Sequence, residues 1–217
     1  MKLNHKKVAR GWLLAAGVAA LAPAATIASA QETNAYTFKD GQLQRPTGYR
    51  EWVYVGTPVT PNDMNGGKAA FPEHHNVYID PESWAQWKKT GKFRDGAILI
   101  KELVSVGSKG GVSGKGYFQG EFVGLEATIK SSQYFPNEPG HWAYFSFSGK
   151  NHKTLTDTAK AFPAASCNSC HAAAAQDDFV FTQYYPVLRA GKAAGEKAGG
   201  GFESDLHNHY VEPKGKK

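Results

Sequence analysis

Five short segments of the chain have the apolar patterning of β-strands, and polar or glycine-rich stretches separate them. Branched and aromatic side chains, which suit a pleated and half-buried surface, recur in each of them. The five segments are residues 51–56, 76–80, 97–104, 116–130 and 141–147. The last two alternate apolar and polar residues, so the pattern predicts a sheet of short strands joined by tight connections.

Helical signals are fewer than strand signals. Residues 80–91 begin with Asp, an N-cap type, continue with Pro at the first helical position and end with Gly, which predicts one helix. Weaker helical patterns occupy residues 154–162 and residues 177–191, and Pro186 interrupts the second. The pattern as a whole predicts a mainly β fold of the α+β class, an antiparallel sheet with a few packed helices.

The glycine-rich stretch at residues 106–116 could be mistaken for a phosphate-binding loop. Such loops lead into a helix, whereas the residues that follow this stretch form a strand pattern. We therefore expect a hairpin connection between two strands.

Lys101 is out of place in the pattern. It stands in AILIKELV, residues 97–104, where nearly every other side chain is apolar. Periodicity alone favours a lysine that buries its aliphatic stem and extends its ammonium group to solvent.

The first thirty residues predict a signal peptide. Basic residues precede an apolar run, and small residues at Ala28 and Ala30 suit cleavage after Ala30. A membrane anchor is the alternative, but the run is short and contains Pro23. We expect an exported, periplasmic protein with a domain at residues 31–190, a flexible tail at residues 191–217 and no membrane span after cleavage.

The charge balance argues against nucleic-acid binding. The sequence has 25 Lys and Arg against 19 Asp and Glu, a net charge of +6. Four of the basic residues lie in the predicted signal, so 21 remain against 19, a net charge of +2. No basic stripe of the kind that follows a phosphate backbone survives cleavage.

Both cysteines of the chain lie in CNSCH, together with His171. A redox disulfide between Cys167 and Cys170 would normally accompany a thioredoxin-like pattern, and a zinc site would need further ligands at matching spacing. Neither is visible in the sequence. The motif is instead typical of covalent haem c, in which both thiols bond the vinyl groups and the histidine binds iron.

A sixth iron ligand is harder to find. After removal of the signal the sequence has one methionine, Met64, in a turn-like segment. The remaining candidates are histidines: His74, His75, His141, His152, His207 and His209. His207 and His209 form an HNH pair that we expect to be solvated in the tail. The shortage of methionine favours an open coordination position, as a reactive or gas-binding haem requires.

The segments GYREWVYVGTPVTPN, VYIDPESWAQWKKTGKFRDGAILIKELVSVG, GYFQGEFVGLEATIK and CNSCHAAAAQDDFVFTQYYPVLRAG resemble the cytochrome P460 family. The resemblance extends from about Tyr49 to Gly191. It implies a periplasmic c-type haem protein, predominantly β and homodimeric, that oxidises hydroxylamine to nitrous oxide or nitric oxide. Electrons would pass to an external acceptor such as a soluble cytochrome c.

The resemblance also implies roles for three side chains. Lys101 matches a lysine that family members bond covalently to a meso carbon of the porphyrin, and an apolar setting favours the neutral amine that such bonding requires. Glu126 matches a glutamate of the distal pocket that accepts protons. His75 stands where some members have an arginine. A histidine there could hydrogen-bond a ligand or relay protons, although it lacks the permanent charge and forked donors of arginine.

Two other functions remain open. A nitric-oxide-binding cytochrome of the same fold would leave Lys101 free of the haem, and a monohaem electron carrier would have six-coordinate iron. Alternation places Glu126 with Gly124 and Thr128 on one face of the strand, but it does not decide whether that face meets haem or solvent.

Overall fold

The strand-type segments pair into an antiparallel sheet. A computed structural model describes residues 35–149 and 154–192, and the structural statements below concern these residues. Its strands are β1 Phe38–Lys39, β2 Gln42–Gln44, β3 Val53–Gly56, β4 His74–Ile79, β5 Ile98–Val106, β6 Gly110–Gly111, β7 Gly114–Lys115, β8 Gln119–Lys130, β9 Trp142–Ser146 and β10 Thr158–Ala159. Its helices are α1 Pro81–Thr90, α2 Ala164–Ala174 and α3 Pro186–Gly191.

The main sheet has five strands in the order β3-β4-β5-β8-β9, every neighbouring pair antiparallel. Each of the five predicted segments contributes one of these strands, so the predicted mainly β, α+β fold is confirmed. A separate small sheet has the order β1-β2-β10, and β6 pairs with β7 in the hairpin expected from the glycine-rich stretch. No helix in the described ranges is long and apolar enough to cross a membrane.

Alternation along the strands gives the main sheet two apolar faces. The first face packs on the small sheet through a cluster that includes Leu43 of β2 and Ala159 of β10. The second face packs on the helices, through Trp87 of α1 and Leu188 of α3. Both faces are therefore covered over much of the sheet, which explains why β5 is apolar at successive positions rather than at alternate ones.

The helix expected at residues 154–162 is wrong. Thr158 and Ala159 form strand β10, which pairs with β2, and Leu155 forms an isolated bridge with Ser148. The segment is rich in threonine, and the Thr156 hydroxyl donates to the Thr158 carbonyl at 2.9 Å, with the Phe147 carbonyl 3.3 Å away. Threonine is a better strand former than helix former, and here tertiary pairing decides between the two.

The helix expected at residues 177–191 exists only in its last part. A tight turn and a 3-10 helix at Thr182–Tyr184 come first, and α3 then begins at Pro186. Proline has no N–H to lose at the first helical position, so it starts this helix instead of breaking it. The proposed signal at residues 1–30, and the tail beyond Lys192, lie outside the described residues.

Asp80 connects α1 to the sheet. Its carboxylate caps the helix by accepting from Ser83 N at 3.0 Å, and it also accepts from Ile98 N of β5 at 3.1 Å. Arg94 lies 3.4 Å from the same carboxylate. The Asp80 side chain is almost fully buried, so one carboxylate satisfies three donors at the junction of helix and sheet.

Replacing Asp80 by Ala should lower the free energy of unfolding by about 3 kcal/mol, because the helix loses its cap and buried donors lose their acceptor. Glu82→Ala is the matched control. Glu82 also pairs with Arg94, at 3.1 Å, but its side chain is 47% exposed, and we expect a loss of less than about 1 kcal/mol. Urea denaturation measures both, and equal losses would contradict this assignment.

Candidate functional site

The CNSCH motif lies on helix α2, which the sequence patterns did not predict. Alanine, the best helix former, supplies much of this helix, and Pro163 precedes it. Cys167, Cys170 and His171 are three and four residues apart, so they share one side of the helix. Asn168 fixes that helix to the sheet, since its amide donates to the Trp142 carbonyl of β9 at 3.3 Å.

His171 is held in one orientation. Its Nδ1 lies 2.6 Å from the Phe179 carbonyl oxygen, and because a carbonyl only accepts, Nδ1 carries the proton. The ring contacts those of Tyr144 and Phe181, at centroid distances of 4.5 and 4.6 Å. Burial lowers the pKa of His171, which keeps the imidazole neutral. Nε2 is thus the nitrogen left to bind a metal.

Both thiols of the motif are free. Cys167 is half-buried against the second apolar face of the sheet, and Cys170 is exposed. Burial, and secondarily the charge of Glu126, raises the pKa of Cys167, so this residue is a thiol at neutral pH. Two free thiols beside an oriented, neutral imidazole are the side chains that a covalent haem needs.

Lys101 and Glu126 face each other across two strands. They are directly paired residues of β5 and β8, and Lys101 Nζ lies 2.6 Å from Glu126 Oε2. Each side chain is about one quarter exposed, 26% for Lys101 and 25% for Glu126. The lysine that was anomalous in the pattern therefore does not extend freely into solvent. It has a carboxylate partner on the helix-covered face of the sheet, and its Nζ lies 5.1 Å from the ring centre of Phe71.

His75 lies on the same face, on β4. It pairs with Leu103, two residues along β5 from Lys101, and its ring meets that of Phe71 edge to face at 6.1 Å. Burial, followed by the charge of Lys101, lowers the pKa of His75 to about 4. Its Nε2 is buried and has no hydrogen-bond partner among the described residues. A neutral imidazole with a free nitrogen is available to a ligand.

The other candidate ligands are placed less favourably. Met64 is 72% exposed, and the His74 ring is buried on the opposite face of the sheet from His75. His141 Nδ1 contacts the Phe135 carbonyl at 3.2 Å. His152 and the HNH pair lie outside the described residues. Within those residues, no three side chains of the His, Cys, Asp and Glu types are grouped to hold a metal ion.

The arrangement fits a haem better than a bare metal ion. One oriented histidine could supply a single axial bond to an iron that a porphyrin already holds, and two thiols lie on the same helix. The charges of Lys101 and Glu126 act on the pKa values of both Cys167 and His171. The side chains of β5 and β8 therefore lie near those of α2, on the same side of the sheet.

Several contributors were missed from the sequence. Phe71 covers Lys101 from a loop, and Tyr144 and Phe181 enclose His171. Alternation in residues 141–147 places Tyr144 on a defined face of β9 but does not give its partner. The Phe179 carbonyl carries no sequence signal, because any residue offers one.

Comparison with known proteins finds a family match that spans the residues of this site. The family model described as Cytochrome P460 matches residues 46–182, which include β3 to β9, all of α2 and every site residue discussed above. No curated protein matches the chain.

Replacing His75 by Gln should reduce the acid sensitivity of the fold. Because the folded-state pKa of His75 is about 4 instead of 6.5, only the unfolded chain binds this proton between those values, and stability falls as the pH drops through the window. Between pH 8 and pH 5 the wild type should lose about 2 kcal/mol more than His75→Gln, as measured by urea denaturation. Identical losses in the two proteins would contradict the buried, neutral state of His75.

Proposed function

The chain belongs to the cytochrome P460 family, and from that premise we propose a c-type haem oxidoreductase that oxidises hydroxylamine to nitrous oxide or nitric oxide. Family membership makes it a haem-binding cytochrome. The main support for hydroxylamine oxidation is the contact between Lys101 and Glu126. It lies on the face of the sheet where Cys167 and His171 also lie. One site then contains an amine, a carboxylate and a candidate iron ligand.

The haem would be held by three side chains of α2. Cys167 and Cys170 would add to its vinyl groups, and His171 would bind iron through Nε2 while Nδ1 donates to Phe179. When bound, the haem supplies an iron centre that coordinates hydroxylamine and removes its electrons one at a time. A single haem holds few electrons, so an external acceptor, such as a soluble cytochrome c, has to take them up.

Lys101 would be bonded through its nitrogen to a meso carbon of the porphyrin, in place of the hydrogen on that carbon. Forming this bond from the ammonium group releases three protons and two electrons, and the electrons would pass to the external acceptor. As an ammonium group Lys101 donates to Glu126 and occupies that carboxylate. An amine attached to a conjugated ring loses its basicity and its positive charge. The proposed bond therefore removes a charge from a half-buried position and releases the Glu126 oxygens for other protons.

Glu126 would be the proton acceptor. Oxidation of hydroxylamine releases as many protons as electrons, and a positioned carboxylate can take them as the electrons leave. Its one-quarter exposure leaves a route by which those protons reach water. His75, neutral and with a free Nε2, would hydrogen-bond the ligand without adding charge.

His75 also gives the electron-carrier alternative its best support. A buried nitrogen without a partner could bind iron as a sixth ligand, which Met64 is too exposed to do. Six-coordinate iron would be low-spin, whereas the proposed enzyme has an open position and high-spin iron. The optical spectrum of the resting protein distinguishes the two, and free Lys101 with gas binding but no turnover would favour the nitric-oxide-binding alternative.

The proposal also covers the location of the protein and its oligomeric state. Cleavage after Ala30 would deliver the protein to the periplasm, the location in which c-type cytochromes of this family act. We also propose a homodimer, on the basis of the family resemblance. Mass measurement of the exported protein and sedimentation analysis test the two statements separately.

Lys101→Arg tests the covalent bond. Mass spectrometry of digested wild-type protein should find haem joined to peptides containing Lys101 as well as Cys167 and Cys170. In Lys101→Arg the haem should remain on the cysteines alone, and the Soret band of the reduced protein should move to shorter wavelength. Lys115→Arg, on an exposed hairpin strand, is the control and should match the wild type. Unmodified Lys101 in the wild-type protein would overturn the enzyme proposal.

Glu126→Gln tests the proton acceptor. The amide keeps the shape of the side chain but takes no proton, so hydroxylamine turnover should fall roughly 100-fold or more while haem content stays the same. Glu121→Gln is the matched control, an exposed glutamate on the same strand, and should retain turnover. Steady-state assays with a soluble electron acceptor measure both variants, and full activity of Glu126→Gln would remove the role assigned to Glu126.

A further inference from the structure

The carbonyl that orients His171 belongs to a strained turn. Val180 N donates to the Asp177 carbonyl at 2.8 Å, and the two residues between them both have positive φ, +43° at Asp178 and +63° at Phe179. Two-residue turns with positive φ at both central positions favour Asn or Asp followed by Gly. A phenylalanine in the second position costs free energy, so its surroundings must hold it there.

Asp178 is held by two groups from the sheet. Lys130 Nζ, at the end of β8, lies 2.9 and 3.1 Å from the two carboxylate oxygens, and Trp142 Nε1 of β9 donates to one of them at 3.3 Å. Lys130 also donates to the Gly140 carbonyl at 2.9 Å. Its side chain is only 16% exposed, so this ion pair is shielded from solvent on the lysine side.

The Phe179 ring is held in place by close packing against the backbone of Gly140. It lies over Gly140, where an added Cβ would come within 2.6 Å of the ring, and Gly140 has a φ of +61°. Beside it, Asp177 hydrogen-bonds Thr182 and pairs with Lys192. Both ends of the turn and its central side chain are thus fixed to neighbouring elements.

We propose that Lys130 and Asp178 are positioning residues, which hold the Phe179 carbonyl against His171 Nδ1 and thereby set how strongly His171 donates electrons to iron. A strong hydrogen bond from Nδ1 gives the imidazole partial anionic character. That character stabilises ferric over ferrous iron and lowers the reduction potential of the haem. This inference rests on the proposed ligation of iron by His171.

Strand β8 carries both the proposed proton acceptor and the lysine that holds the turn. Glu126 and Lys130 are four residues apart on β8, so they point to the same face of the sheet. The carboxylate proposed to accept protons and the cation that holds the turn are fixed by one element.

The test uses the haem-loaded protein and two readouts besides turnover, the midpoint potential and the iron–histidine stretching frequency of the ferrous form. Asp178→Asn and Lys130→Met should shift the potential to more positive values and lower the stretching frequency, with haem still attached to both cysteines. Lys130→Arg, which keeps the cation, should restore most of both values. Asp157→Asn is the control, because it breaks a 2.8 Å ion pair with Arg45 that lies next to the small sheet, away from the turn.

Gly140→Ala tests the same turn without removing a charge. Its added methyl group should displace the Phe179 ring and shift both readouts in the same direction. It also serves if Asp178→Asn fails to fold. Wild-type values in all three disruptive variants would overturn the positioning role, and so would an equal shift in Asp157→Asn. A wild-type spectrum without an iron–histidine vibration would instead overturn the ligation by His171 and the proposed function with it.

Discussion

The register of β5 against β8 is the constraint on which the site depends. It places Lys101 directly opposite Glu126, while Ile100, Leu125 and Ala127, next to the pair, lie in the apolar cluster of the other face. A slip of one residue would exchange the two faces of β8 and drive a carboxylate into that cluster. Burial of the neighbouring side chains therefore enforces a polar contact that contributes little stability by itself.

The same burial keeps the histidines neutral. The pKa values of His75 and His171 are lowered first by loss of solvent and then by the nearby charge of Lys101. A neutral imidazole can bind iron or hydrogen-bond a ligand, whereas an imidazolium can only donate. The apolar sheet thus does more than support the site, because it selects the protonation state in which these side chains are useful.

The sequence predicts this site where the signal is local, and it fails where the signal depends on pairing. Cys167, Cys170 and His171 are readable because they are nearly adjacent, and the face of Glu126 follows from alternation. That Lys101 meets Glu126 depends on register, and the role of the Phe179 carbonyl depends on a turn whose residue types argue against it. The helix expected at residues 154–162 fails for a related reason, since Thr158 and Ala159 find a partner strand that the local pattern cannot show.

Helix α2 packs weakly against the rest of the chain. Of its residues, all of them described, only Asn168 is buried, so it contributes little of the apolar burial that usually fixes a helix. Polar contacts from Asn168 and His171, with Cys167 packed at the edge of the cluster, set its position instead. Covalent bonds from the two cysteines to a common ring would restrain the helix further. The haem proposed here would then fix in place a helix that buries little of its own surface against the rest of the chain.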